Sequence, residues 1–253
     1  MSNRVAVIVG GTGDLGRLIT ARCADAGFDV VVVYRSATEQ ARALQQAVAA
    51  GGRRCLTLQA DLRHPEEVER FVAAAIAEFG QIDVLVHAHG WLSRLQLFHE
   101  CSIESLQQTI AVELLGVMYC CRAVLPHMIA RRAGRIVTLA SDSGKVGSSA
   151  EAASAAARGG VIALSKSLAR ENARHGITIN VVCPGPIATE SLERNTAADA
   201  LTARLTEGMI RATPLRRLAQ PQEVVDLVMY LATGGAGFIT GQAISVSGGL
   251  TMC

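Results

Sequence analysis

At 253 residues, half of them apolar and only 18% charged, the chain is long enough to bury a large core and too apolar to be disordered. The net charge of +2 includes no basic block, which argues against nucleic acid or an anionic membrane surface as a partner. The seven cysteines are odd in number, scattered and without a CxxC spacing, so they read as small buried hydrophobes of a reducing cytoplasm rather than zinc ligands or disulfides.

Apolar β-branched runs alternate with longer segments of helical period. A first strand over 5–9 begins almost at once, leaving no room for a leader, and no uninterrupted apolar run reaches the length of a membrane span. A cytoplasmic protein is expected. The strand leads through a glycine-rich turn at 10–16 into a helix over 15–26, then a strand over 30–34. A helix over 38–50 is stopped by Gly51-Gly52, a third strand covers 55–59, and Pro65 opens a helix over 65–79, a position where its missing N–H is not needed. A fourth strand (84–86), a long helix (103–130), a fifth strand (136–140), a second long helix (152–173) and a sixth strand (178–182) follow. The segment 190–214 is the one long connection and carries its own helical pattern, as a lid would, and a short strand over 243–246 comes last. Fully apolar strands alternating with helices predict an α/β fold, a doubly wound parallel sheet in a single domain over 1–253, with ligands at the carboxyl ends of the strands.

Several motifs along the chain resemble those of the short-chain dehydrogenase/reductase (SDR) family. They are Gly134-Arg135-Ile136-Val137, Ser165-Lys166-Ser167-Leu168-Ala169-Arg170-Glu171, Asn180-Val181-Val182-Cys183-Pro184-Gly185-Pro186, and the C-terminal Phe238-Ile239-Thr240-Gly241-Gln242 through Ser247-Gly248-Gly249. The chain is similar to 3-oxoacyl-carrier-protein reductases and to 2-hydroxycyclohexanecarboxyl-CoA dehydrogenases, the latter especially over 140–149. The resemblance implies a Rossmann-like SDR fold and NAD(P) chemistry.

Glycines in Gly10-Gly11-Thr12-Gly13-Asp14-Leu15-Gly16 let the chain turn tightly and bring its backbone to a pyrophosphate at a helix N-terminus, so Gly10, Gly13 and Gly16 are candidate cofactor residues. Most SDR enzymes of this size have glycine where Asp14 stands. A carboxylate there repels a pyrophosphate, or serves only as a charge favourable to the helix dipole, and dinucleotide binding is left open. At the end of the second strand Arg35 replaces the acidic residue of NAD sites, which favours NADP over NAD if either binds; otherwise Arg35 is a solvated strand-end charge. The resemblance also implies an adenine contact at Asp61 and cofactor contacts at Gly90, Pro184, Gly185 and Thr189. His87-Ala88-His89-Gly90 stands where the family has Asn-Asn-Ala-Gly; without a third ligand the two histidines predict no metal site, and structural or cofactor-blocking roles are preferred.

Ungapped matching to the family places its catalytic serine at Ser141, its tyrosine at Ser154, its lysine at Arg158 and its asparagine at Glu113. Only the serine is retained. A serine hydroxyl is far less acidic than a phenol and too short to reach the phenol's place. A guanidinium stays charged and relays no proton. Glu113 and Arg158 are expected to form a static buried ion pair unless both point into solvent. Halohydrin dehalogenases also have arginine at the lysine position, but they keep the tyrosine and lose the glycine turn, the reverse of this chain.

Three functions follow. The first is a catalytically degenerate subunit paired with an active SDR paralogue in a heterotetramer, or self-associated, through the helices at 103–130 and 152–173. It resembles the inactive subunit of the hydroxyacyl-CoA dehydrogenase of benzylsuccinate degradation, which acts on 2-[hydroxy(phenyl)methyl]succinyl-CoA. The second is a self-sufficient NADP-dependent oxidoreductase with His89, or a water held by Ser141 and Glu113, as proton donor. The third is a non-redox enzyme on the same scaffold, worked by His89, Glu113 and Arg158. Arg194, Arg204 and Arg211 of the lid either meet an acyl-CoA phosphate or form a solvated helix face.

Overall fold

A strand turns successive side chains to opposite faces, and when both faces are apolar both must be covered. The computed structural model describes residues 4–89 and 95–253. In it β1 (Val5–Val9), β2 (Asp29–Tyr34), β3 (Cys55–Gln59), β4 (Val84–His87), β5 (Gly134–Leu139), β6 (Ile177–Pro184) and β7 (Ala243–Val246) form one parallel sheet in the order β3-β2-β1-β4-β5-β6-β7. The helices are α1 (Asp14–Asp25), α2 (Thr38–Ala50), α3 (Pro65–Phe79), α4 (Ile103–Ile110), α5 (Gly116–Arg131), α6 (Ser143–Val146), α7 (Ala152–Asn172), α8 (Glu190–Ala198), α9 (Ala200–Ala212) and α10 (Pro221–Thr233).

The alternation divides the core in two. Val5, Val7 and Val9 share one face with Val31, Leu85, Ile136 and Ile179, and pack on Phe71 of α3, Val124 and Met128 of α5 and Val161 of α7. Ala6 and Ile8 share the other with Val30, Val86 and Val137, against Ile19 of α1, Val48 of α2 and Val228 of α10. Each fully buried Val or Ile contributes about 1.5–3 kcal/mol relative to exposure. This is the expected single-domain, doubly wound α/β fold. Strand order reverses at β1, which has β2 on one side and β4 on the other, so the carboxyl ends of β1 and β4 open the crevice where such sheets bind ligands.

Three features differ from the reading of the sequence. The long helix over 103–130 is broken: a π-helical turn, Ala111–Leu115, separates α4 from α5 and contains Glu113. The connection at 190–214 holds two helices, each capped by a side chain, Thr189 for α8 and Asp199 for α9. Helix α10 lies where the sequence pattern predicts no element, although Pro221 in its first turn and the reciprocal capping of Gln220 and Glu223 mark its start. The stretch Ile103–Arg131 is, by length and composition alone, the one among the described residues apolar enough to cross a membrane, which its interrupted apolar pattern does not suggest. It lies as a core helix, with Val117, Cys120, Val124 and Met128 buried against the sheet.

Candidate functional site

The turn from β1 to α1 is built on glycines that nothing larger can replace. Gly10 has φ +78°, and a Cβ there would lie 2.5 Å from the His89 Cα; a Cβ on Gly16 would lie 2.1 Å from the Gly10 carbonyl oxygen. Gly10 and Gly11 donate to the Val33 carbonyl at 2.8 and 3.1 Å, fixing the turn to β2. Gly13 is the N-cap of α1, which has no side-chain cap. An open groove of about 200 Å³ runs from here along Thr12, Gly13, Tyr34, Arg35, Asp61 and His89. Exposed glycine backbone at an uncapped helix N-terminus fits a pyrophosphate. Arg35, exposed on the groove wall and in no ion pair among the described residues, fits a phosphate at the far end.

Two carboxylates, Asp61 in the groove wall and Asp14 beside it, are already engaged. Asp61 clasps Arg63, with Nε at 3.0 Å and a terminal nitrogen at 2.5 Å, and these bonds hold its pKa down to about 2. Asp14, in the first turn of α1, accepts the Ser191 backbone N–H at 3.1 Å, at the start of α8.

Across the crevice, Ser141 makes a long 3.5 Å hydrogen bond to the Pro184 carbonyl and accepts the Ser143 N–H at 3.2 Å. Ser154 and Arg158, expected from family matching at the positions of the tyrosine and lysine, lie one turn apart on α7 and meet the π-helical turn. Ser154 donates to Glu113 Oε2 at 2.6 Å, Arg158 Nε lies 3.0 Å from Ser154 Oγ and 3.1 Å from Glu113 Oε2, and a further Arg158 nitrogen donates to the Ala140 carbonyl at 2.8 Å. The side chains of Glu113 and Arg158 are 2% and 12% exposed, so the pair is buried rather than screened by water. The expected Glu113–Arg158 pairing is therefore present, and the alternative in which both point into solvent is not. Glu113 Oε1 is buried without a partner.

His87 is fully buried, with Nδ1 2.9 Å from Thr138 Oγ1. Burial and the neighbouring His89 lower its pKa to about 3; burial and Arg158 lower that of His89 to about 4. Both are neutral near pH 7. Among the described residues no three His, Cys, Asp or Glu side chains gather as a metal site.

Of the other expected cofactor residues, Gly185 packs its backbone on Ser247, Pro184 ends β6, and Thr189 spends its hydroxyl accepting the Leu192 N–H at 3.1 Å as cap of α8. Gly90 lies outside the described residues. Two groups had no signal in the sequence. Glu151, near Glu113 and Arg158, has its pKa raised by burial. Beside Ser141, Lys145 donates to Ser245 Oγ at 2.9 Å and to the Cys253 carbonyl at 2.7 Å, and Ser245 donates to Asp142 at 2.6 Å. These contacts join residues some hundred positions apart, which spacing alone does not reveal.

Sheet order, switch-point crevice and glycine turn together define an α/β protein of the nucleotide-binding, doubly wound class. Residues 12–251 match the family model described as Enoyl-(Acyl carrier protein) reductase, and the chain belongs to the short-chain dehydrogenase/reductase family of oxidoreductases. It is 35% identical over 247 residues to 3-oxoacyl-[acyl-carrier-protein] reductase FabG of Staphylococcus aureus, with 98% of each chain covered. It is 33% identical over 253 residues to the 3-oxoacyl-[acyl-carrier-protein] reductase of Synechocystis sp., covering 100% of this chain and 98% of that one. The crystal structure of levodione reductase superposes with a TM-score of 0.91 at 28% identity, over 97% of this chain and 96% of the other. The similarity to 3-oxoacyl-carrier-protein reductases read from the motifs thus extends along the chain.

Proposed function

We propose that the chain is a non-catalytic SDR subunit that works beside an active paralogue in an NAD(P)-dependent hydroxyacyl-CoA dehydrogenase. One observation carries the reading: where SDR chemistry needs a phenol and an amine, Ser154, Arg158 and Glu113 form a closed, buried, charge-neutral cluster. Oxidation of a hydroxyacyl thioester removes a hydride to the dinucleotide and a proton to a base. A guanidinium is no base for this step, Glu113 is paired with Arg158, and the Ser154 hydroxyl is committed to Glu113. In this reading the paralogue's tyrosine takes the proton, and this chain contributes packing through α4–α5 and α7. The 140–149 stretch supports 3-hydroxyacyl-CoA substrates, with 2-[hydroxy(phenyl)methyl]succinyl-CoA as the first to try. The groove from Gly10 to Arg35 would hold the dinucleotide, with NADP favoured by Arg35.

A self-sufficient reductase is the second reading, because His89 borders the groove with a buried, unpartnered Nδ1. Its depressed pKa argues against it: a neutral imidazole is a poor acid. The test is turnover of an acyl-CoA ketone with NADPH by the purified chain, by the chain co-expressed with a tyrosine-bearing paralogue, and by the triple variant E113N/S154Y/R158K. The isolated chain should be inactive, the co-expressed pair active, and the triple variant should gain activity over the parent. Ordinary turnover by the isolated chain would end the proposal.

A further inference from the structure

Asp14 stands in the first turn of α1, where its charge suits the helix dipole, yet its carboxylate serves a different helix. Helix α8 leaves its first N–H groups without partners in the helix. Thr189 satisfies one, at Leu192, and Asp14, from a position 177 residues away, satisfies another, at Ser191. A single carboxylate therefore faces two helix N-termini, each equivalent to about half a positive charge. One turn along α1, Arg17 pairs with Glu190 at 2.5 Å, but those side chains are 45% and 61% exposed and such a pair adds little. Asp14 makes the part-buried attachment.

We infer that Asp14 is a positioning residue: it latches the lid helix α8 onto the glycine turn, and a pyrophosphate arriving at that turn weakens the latch. The inference rests on the dinucleotide reading of the groove. The N-terminus of α1 that would receive the phosphates is the one that carries Asp14, next to Gly13 on the groove wall. Two anions then share that helix end, and their repulsion works against the Asp14–Ser191 bond. Linkage requires the effect to run both ways: whatever opens the lid favours the dinucleotide, and the dinucleotide favours an open lid. The lid is thus released by cofactor, the reverse of a lid that closes over it.

The experiment is amide hydrogen exchange over 190–198 and NADPH titration on the full chain, for wild type, Asp14→Ala and Asp14→Asn, with Arg17→Ala as a control. Asp14→Ala should speed lid exchange about fivefold, the factor a capping acceptor is worth. It should tighten NADPH roughly fourfold, the factor for removing one of two unit charges about 5 Å apart in water. Asp14→Asn keeps an acceptor without the charge, so it should match Ala in affinity while retaining more lid protection. Arg17→Ala should change exchange less than twofold, and NADPH added to wild type should speed exchange over 190–198. Unchanged exchange in Asp14→Ala overturns the latch whatever the binding result. Faster exchange with NADPH bound no more tightly overturns the antagonism. Should neither wild type nor Asp14→Ala bind NADPH, the dinucleotide reading fails and takes the antagonism with it, while exchange alone still decides whether Asp14 holds the lid.

Discussion

Glu113 faces the Arg158 guanidinium at 3.1 Å inside the protein. Because the pair is buried, its worth does not follow the rule for surface ion pairs: two desolvated charges roughly cancel their own cost, but either one alone is expensive. Glu113→Gln should therefore destabilise the protein by about 3–5 kcal/mol, whereas the double change Glu113→Leu with Arg158→Met should be close to neutral. Urea unfolding of the three proteins measures this, and a cost under about 1 kcal/mol for Glu113→Gln would mean the pair is hydrated. The histidines set a pH dependence. His89 has a folded pKa near 4, below the free value of 6.5, so its neutral form is favoured in the native state. Its contribution to stability is complete above 6.5 and is lost as pH falls from there toward 4, where the unfolded chain takes up the proton. Glu151, raised from 4.5, acts with the opposite sign just above that value. His89→Asn should therefore flatten the fall in unfolding midpoint between pH 6.5 and 4; an unaltered slope would show that His89 does not contribute.

Helix α1 sits against the glycine turn with no room to spare. Gly16→Ala would drive a methyl into the Gly10 carbonyl, and overpacking of that kind costs about 1–3 kcal/mol. Thermal denaturation should show the loss, and NADPH affinity should fall with it as the helix end moves from the groove; an unchanged melting temperature would mean that the turn yields. The elements were legible to different degrees for physical reasons. Strands such as Val5–Val9 and helices such as Thr38–Ala50 declare themselves because burial on one face or two dictates the local period. The π-helical turn does not: Ala111–Leu115 is ordinary helical sequence, and the wide turn becomes visible only in three dimensions, where Glu113 meets Arg158 from another helix. Helix α10 carries readable signs in Gln220, Pro221 and Glu223, but no strand separates it from the lid to mark it as a new element. In the site, family matching placed Ser154, Arg158 and Glu113 together, whereas the bond from Asp14 to Ser191 joins surfaces that no local pattern connects.

At the scale of the molecule, the sheet, its two apolar layers and its crevice frame a site in which Ser154, Arg158 and Glu113 form one buried cluster. If the chain works beside a paralogue, the outer surface of α4 and α5 is where partnership should be sensitive. Met118 on α5 is 40% exposed and Ile103 at the start of α4 is 64% exposed. Met118→Glu should prevent co-purification with the paralogue without changing the melting temperature of the isolated chain, as read by pull-down and calorimetry; a complex that survives would move the contact elsewhere. The wide turn at Ala111–Leu115 bears on how such a molecule can be remodelled. A π-turn absorbs a surplus residue while the helices on either side stay in phase. Removing one codon there would let the ladder relax to ordinary pitch, keep both flanking stripes seated on the sheet, and re-aim little beyond the side chains at the turn itself, so architecture and reactivity in this scaffold can be edited independently.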